Sequence, residues 1–171
     1  MKKMRMILLG IIFSLGYTNL SYELIVLRQL INFLGSYILI TSVVMAFSLL
    51  FLSLGYYLGS TIEFKKRSIR KVNAKLLFSS ACWYMIACQY EIMAVFFIGI
   101  EKIRMPLVET FIFAVVWLVY PAVATGFVAS SIGRVIHYLN RNYTGRFMAI
   151  DTLGSVLGSL MTTLIFMPIN R

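Results

Sequence analysis

Residues 36–62 run for 27 positions without a charged side chain. As a helix that segment would be about 40 Å long, more than the ~30 Å hydrocarbon layer of a bilayer. It therefore crosses a membrane with tilt, or reaches into the headgroups. Four further apolar segments follow the same pattern, giving expected spans at 6–26, 36–62, 76–100, 107–131 and 147–168. With 60% hydrophobic and only 13% charged residues, against about 25% charged in soluble domains, the composition agrees. The predicted fold is all-α: a single polytopic bundle over 1–171 with about five transmembrane helices.

The charges between these runs set an orientation. Counting from a cytoplasmic amino terminus, 12 of the 16 Lys and Arg residues fall on the cytoplasmic side, and only Arg28, Lys102, Arg104 and Arg171 do not. This is the asymmetry of a protein of the cell (inner) membrane. The densest part is 63–75, with six basic residues and one acid, expected as a cytoplasmic loop. An anionic-lipid contact is conceivable there, but an ordinary topology signal has the stronger prior. The net charge of +10 does not point to nucleic acid, because the basic residues lie between apolar runs and not along one polar face. One His, two Cys and no Cys-x-x-Cys give neither a metal centre nor a redox site, and no cofactor is expected. His137 reads as a solvated residue. Cys82 and Cys88, six apart on a helix, face nearly opposite ways and read as reduced core thiols.

Four charges within or beside the apolar segments stand out: Glu23, Arg28, Glu91 and Asp151. Glu23 is about 26 Å along its helix from Met6, and Glu91 about 22 Å from Leu76, so their depths are similar. Charge at that depth is costly without partners. The expectation is an outer-leaflet cluster of Glu23, Arg28 and Glu91 between helices. Asp151, near the cytoplasmic end, would pair with Arg134, Arg146 or the bases of 65–71. Fixing helix register ranks above binding a substrate as their role. No hydrolase, phosphate-loop, metalloprotease or dinucleotide motif is present, and no catalytic residue is assigned.

Small residues recur at four-residue spacing, as helices that approach closely require: Gly10, Ser14 and Thr18, then Ala122, Gly126 and Ser130. The pairs Gly55 and Gly59, and Gly154 and Gly158, belong to one motif, Leu-Gly-x-x-Leu-Gly-Ser, which appears twice, 99 residues apart. Duplicated topology or convergence explains it equally well. Pro121, inside the fourth span, should free a carbonyl that neighbouring helices must satisfy.

Tyr22-Glu23-Leu24-Ile25-Val26-Leu27-Arg28-Gln29-Leu30, followed by Phe33-Leu34-Gly35-Ser36 and the first Leu-Gly-x-x-Leu-Gly-Ser, resembles the amino-terminal membrane region of membrane-bound spermidine synthase-like proteins. Asp151-Thr152-Leu153-Gly154-Ser155, running on to Pro168, is similar to the closing motif of that region, and Glu91 fits a glutamate of its third helix. The resemblance covers nearly the whole chain. In that family a cytosolic aminopropyltransferase domain follows, with a Gly-rich loop for decarboxylated S-adenosylmethionine, and this sequence contains no such loop. The resemblance thus implies a non-catalytic membrane module of polyamine biosynthesis. It would be a truncated product, or would act alone or with a separate aminopropyltransferase subunit. The competing readings are a half-size transporter of a cationic solute such as a polyamine, and a structural membrane subunit. The segment 59–67 resembles the Gly-x-x-x-Asp-Arg loop of major facilitator proteins, without its aspartate.

Overall fold

The computed structural model describes the backbone over residues 2–34, 38–61, 66–87, 90–100, 106–139 and 144–166. The expected calls at Glu63, Lys65, Cys88, Lys102, Arg104, Arg141, Pro168 and Arg171 lie outside the described residues, as does the side chain of Glu91. The described chain is helical throughout, an all-α membrane bundle of α1 (Lys2–Leu34), α2 (Ile38–Thr61), α3 (Lys66–Ala87), α4 (Tyr90–Ile100), α5 (Pro106–Leu139) and α6 (Thr144–Met161). A π-helical turn, Thr162–Phe166, continues α6. Four helical segments are long and apolar enough to cross a membrane: Met6–Leu34, Ile38–Thr61, Val108–His137 and Gly145–Ile165.

The expected span 76–100, whose apolar run is interrupted at Gln89-Tyr90-Glu91, is described as two helices, the end of α3 and α4. The ring of Trp83 lies 5.8 Å from that of Trp117, and the ring of Phe96 lies 6.0 Å from the same indole. Trp83 of α3 and Phe96 of α4 thus both reach the Trp117 indole of α5, and Phe96 also reaches Phe113, nearer the start of α5. The basic segment expected as a loop is helical from Lys66 onward, and α5 continues through Arg134 to Leu139 where a polar connector was expected. Periodicity explains the second: Ile132 and Ile136 are buried on the inner face of α5, so the apolar stripe outlasts the span itself. Arg134 lies on this extension and donates from Nη1 to the Ser60 carbonyl at 3.2 Å, so that a cation caps the end of α2.

Two helix pairs carry the most extensive contacts, α2 with α5 and α1 with α6. In both, glycine sets the distance. A Cβ on Gly55 would strike the Val123 carbonyl oxygen, and one on Gly59 would come within 2.7 Å of the Phe127 carbonyl oxygen. Gly126 does the same in return, against the Leu52 carbonyl. In the second pair, Gly154 faces the Phe13 carbonyl, Gly158 the Tyr17 carbonyl, and Gly16 the backbone and side chain of Asp151. Ser21 and Ser155 add hydroxyl bonds across this pair, to the Gly158 carbonyl at 3.1 Å and the Gly16 carbonyl at 3.3 Å. Residue numbers rise together across each contact, so α2 is parallel to α5 and α1 to α6. The two pairs run in opposite directions, because Asn19 meets Thr125 while Tyr22 meets Trp117. The repeated Leu-Gly-x-x-Leu-Gly-Ser motif is one packing surface used twice, on helices that point opposite ways.

A corollary separates the glycines. Gly154→Ala should destabilise the folded bundle by about 1–3 kcal/mol, because two backbones must move apart. Gly10, with nothing within 4 Å of its missing Cβ, should tolerate alanine within about 0.5 kcal/mol or gain from its helix propensity. Reversible unfolding of the purified chain in mixed micelles measures both.

Candidate functional site

The polar side chains that join one helix pair to the other are concentrated in a single turn of α1. Asn19, Tyr22 and Glu23 sit at spacings of three and four, which place them on adjoining strips of one side of the helix. Asn19 Oδ1 lies 3.2 Å from the Thr125 hydroxyl on α5. Glu23 accepts a hydrogen bond from the Ser48 hydroxyl on α2, at 2.7 Å. Ser48 is buried, on the face of α2 that carries Val44 and Phe51. The third contact explains the proline. An α-helical N–H bonds the carbonyl four residues earlier, and Pro121 has none, so the Trp117 carbonyl loses its partner. The Tyr22 hydroxyl donates to that carbonyl at 2.7 Å, and the Trp83 indole approaches it at 3.4 Å. Helices α1 and α3 thus satisfy the carbonyl that a proline in the span exposes.

Around this point the aromatic rings pack closely. Tyr22 and Tyr84 are 4.6 Å apart between ring centres, and Phe96 and Phe113 each stand at about 6 Å from Trp117. The Ser79 hydroxyl meets that of Tyr120. These rings fill the larger of two cores, with Val26, Leu30, Val44 and Leu118. The smaller core, built on Ile12, Leu15, Val128, Ile132 and Ile136, lies toward the basic end.

The charges expected inside the membrane are placed as follows. Helix α1 continues unbroken to Leu34, so Glu23 and Arg28 stay about 140° apart around one helix. The described residues do not bring them within ion-pair distance, and Glu23 finds a hydroxyl where a cation was expected. Glu91 belongs to α4, and its side chain is outside the described residues. Asp151 is half-buried against Gly16 of α1 and within electrostatic reach of Tyr56. The glycines named from sequence, Gly55, Gly59, Gly154 and Gly158, are all buried at helix contacts. Cys82 is free and exposed on the outer surface of α3, not in the core. Among the described residues no group of three His, Cys, Asp or Glu side chains is arranged to hold a metal ion.

Glu109 is a buried acid that the apolar-run argument passes over. It lies in the first turn of α5 and is only 4% exposed. The signal was present: Pro106 at the first helical position with an acid three residues on marks a helix start, where the positive end of the backbone dipole favours a carboxylate. Ser48 and Thr125 carry no comparable mark, since serine and threonine are unremarkable in apolar helices.

If Tyr22 serves the carbonyl freed by Pro121, Tyr22→Phe should cost about 0.6–1.7 kcal/mol of stability, the range for such bonds between membrane helices. In a Pro121→Ala background, where the backbone N–H takes up the carbonyl, the same change should cost measurably less. A double-mutant cycle on unfolding in micelles reads the coupling. Comparison with protein-family models, with curated proteins and with solved structures found no match to this chain.

Proposed function

We propose that this chain is a non-catalytic membrane module, a scaffold that anchors or assists a polyamine-forming enzyme as the spermidine synthase-like resemblance implies. The observation that supports a scaffold is how the interior polar groups are used. The hydroxyls of Ser21, Tyr22, Ser48 and Ser155, the indole of Trp83 and the amide of Asn19 all meet groups on another helix. Polar side chains spent in this way hold helices in one register. The enzyme itself would be a separate subunit, and self-association is the alternative mode of assembly. The site of action is the cell (inner) membrane, on the asymmetry of the basic residues.

One observation favours a second reading. Glu23 is a carboxylate deep in a span, bonded to a neutral hydroxyl, and intramembrane acids mark solute or ion pathways in many transporters. The same residue discriminates the two. Glu23→Gln keeps a group that can bond Ser48, so a scaffold variant should fold, with stability within about 1 kcal/mol of the parent. It should also still co-isolate an aminopropyltransferase from native membranes, identified by mass spectrometry. Saturable uptake of a polyamine by vesicles reconstituted with the purified chain, abolished by Glu23→Gln, would establish the transporter instead. Absence of any aminopropyltransferase among the co-isolated proteins removes the anchoring role.

A further inference from the structure

The outer face of α3 changes character along its length. Lys71, Lys75, Phe78, Cys82 and Met85 are all exposed, at spacings of four, three, four and three, which is one face of a helix. The first two are cations, and Phe78 and Met85 are 74% and 72% exposed apolar side chains. Contacts with α5 fix where this change falls. Ser79 is level with Tyr120, and α3 runs antiparallel to α5, because Trp83 further along meets Trp117. Lys71, eight residues before Ser79, lies about 12 Å nearer the basic end. That puts it level with Gly59, which packs on Phe127 and Ser130 just before α2 ends at Thr61. Lys75 sits one turn deeper, beside lipid, where an exposed lysine extends its stem along apolar surface and lifts the ammonium to the headgroups.

We propose that Lys71 and Lys75 form a binding site for the phosphate of an anionic phospholipid in the leaflet at the basic end of the bundle, with the acyl chains against Phe78 and Met85. Charge complementarity selects the occupant: two ammonium groups one turn apart, above an uninterrupted apolar strip, match a negatively charged headgroup above its chains. A zwitterionic lipid supplies the chains without the net charge. The site gives α3, which is not itself among the long apolar spans, a fixed depth in the membrane.

Native mass spectrometry of the delipidated full chain, titrated with phosphatidylglycerol or phosphatidylcholine, tests this. The wild-type chain should retain phosphatidylglycerol in preference, by about fivefold for each lysine, and less so as ionic strength rises. Lys71→Gln with Lys75→Gln should bring the two lipids to near equality, while Lys71→Arg with Lys75→Arg keeps the preference. Equal retention of the two lipids by the wild type overturns the proposal without recourse to any variant. So does a preference that survives the glutamine pair, or release of bound phosphatidylglycerol by millimolar inorganic phosphate, which would assign the site to a soluble anion.

Discussion

Within the hydrocarbon layer there is no water to complete a hydrogen bond or to drive apolar faces together, so helices are held by close packing and by bonds between their own polar groups. In this bundle both effects converge on backbone carbonyls. Six glycines, on α1, α2, α5 and α6, let a neighbouring carbonyl approach closer than a Cβ would permit, and Ser21 and Ser155 donate to two more. The Trp117 carbonyl, exposed by Pro121, draws α1 and α3 onto α5. Dispersion across such short distances, summed over two long parallel contacts, does what the hydrophobic effect does in a soluble core.

The consequence is a division of labour between kinds of contact. Within each parallel pair the surfaces are small-residue seams, nearly featureless chemically. Between the pairs, three polar links come from one α1 turn that holds Asn19, Tyr22 and Glu23. That turn is therefore a point at which the two pairs are registered. A hydroxyl partner for Glu23 is consistent with this, since Ser48 offers a directional bond without the cost of desolvating a second charge.

How much of this could be read beforehand depends on which physical signal was local. Apolar runs and charge asymmetry are properties of the chain alone, because lipid imposes length and the membrane imposes sidedness whatever the helices pack against. The helical class, the contact glycines on α2, α5 and α6 and the need to satisfy a carbonyl near Pro121 followed directly, but on α1 the expected stripe of Gly10, Ser14 and Thr18 is not the packing surface: Gly10 and Ser14 are exposed, and Gly16 meets α6 instead. The helix directions agree with the charge count, placing the start of α1, the end of α2 and the starts of α3 and α6 at one end.

Partners were another matter. Nothing in the spacing of Glu23 indicates Ser48, twenty-five residues away on another helix, because a lone serine in an apolar run has no signature. The amino-acid sequence by itself determined that this chain is a helical membrane protein and that its helices would meet through small residues, because those follow from solvent and size. Only the tertiary structure decided that the pairs are parallel, that Trp83 of α3 and Phe96 of α4 both reach the Trp117 indole, and which group completes each buried polar contact, because these depend on which helices become neighbours.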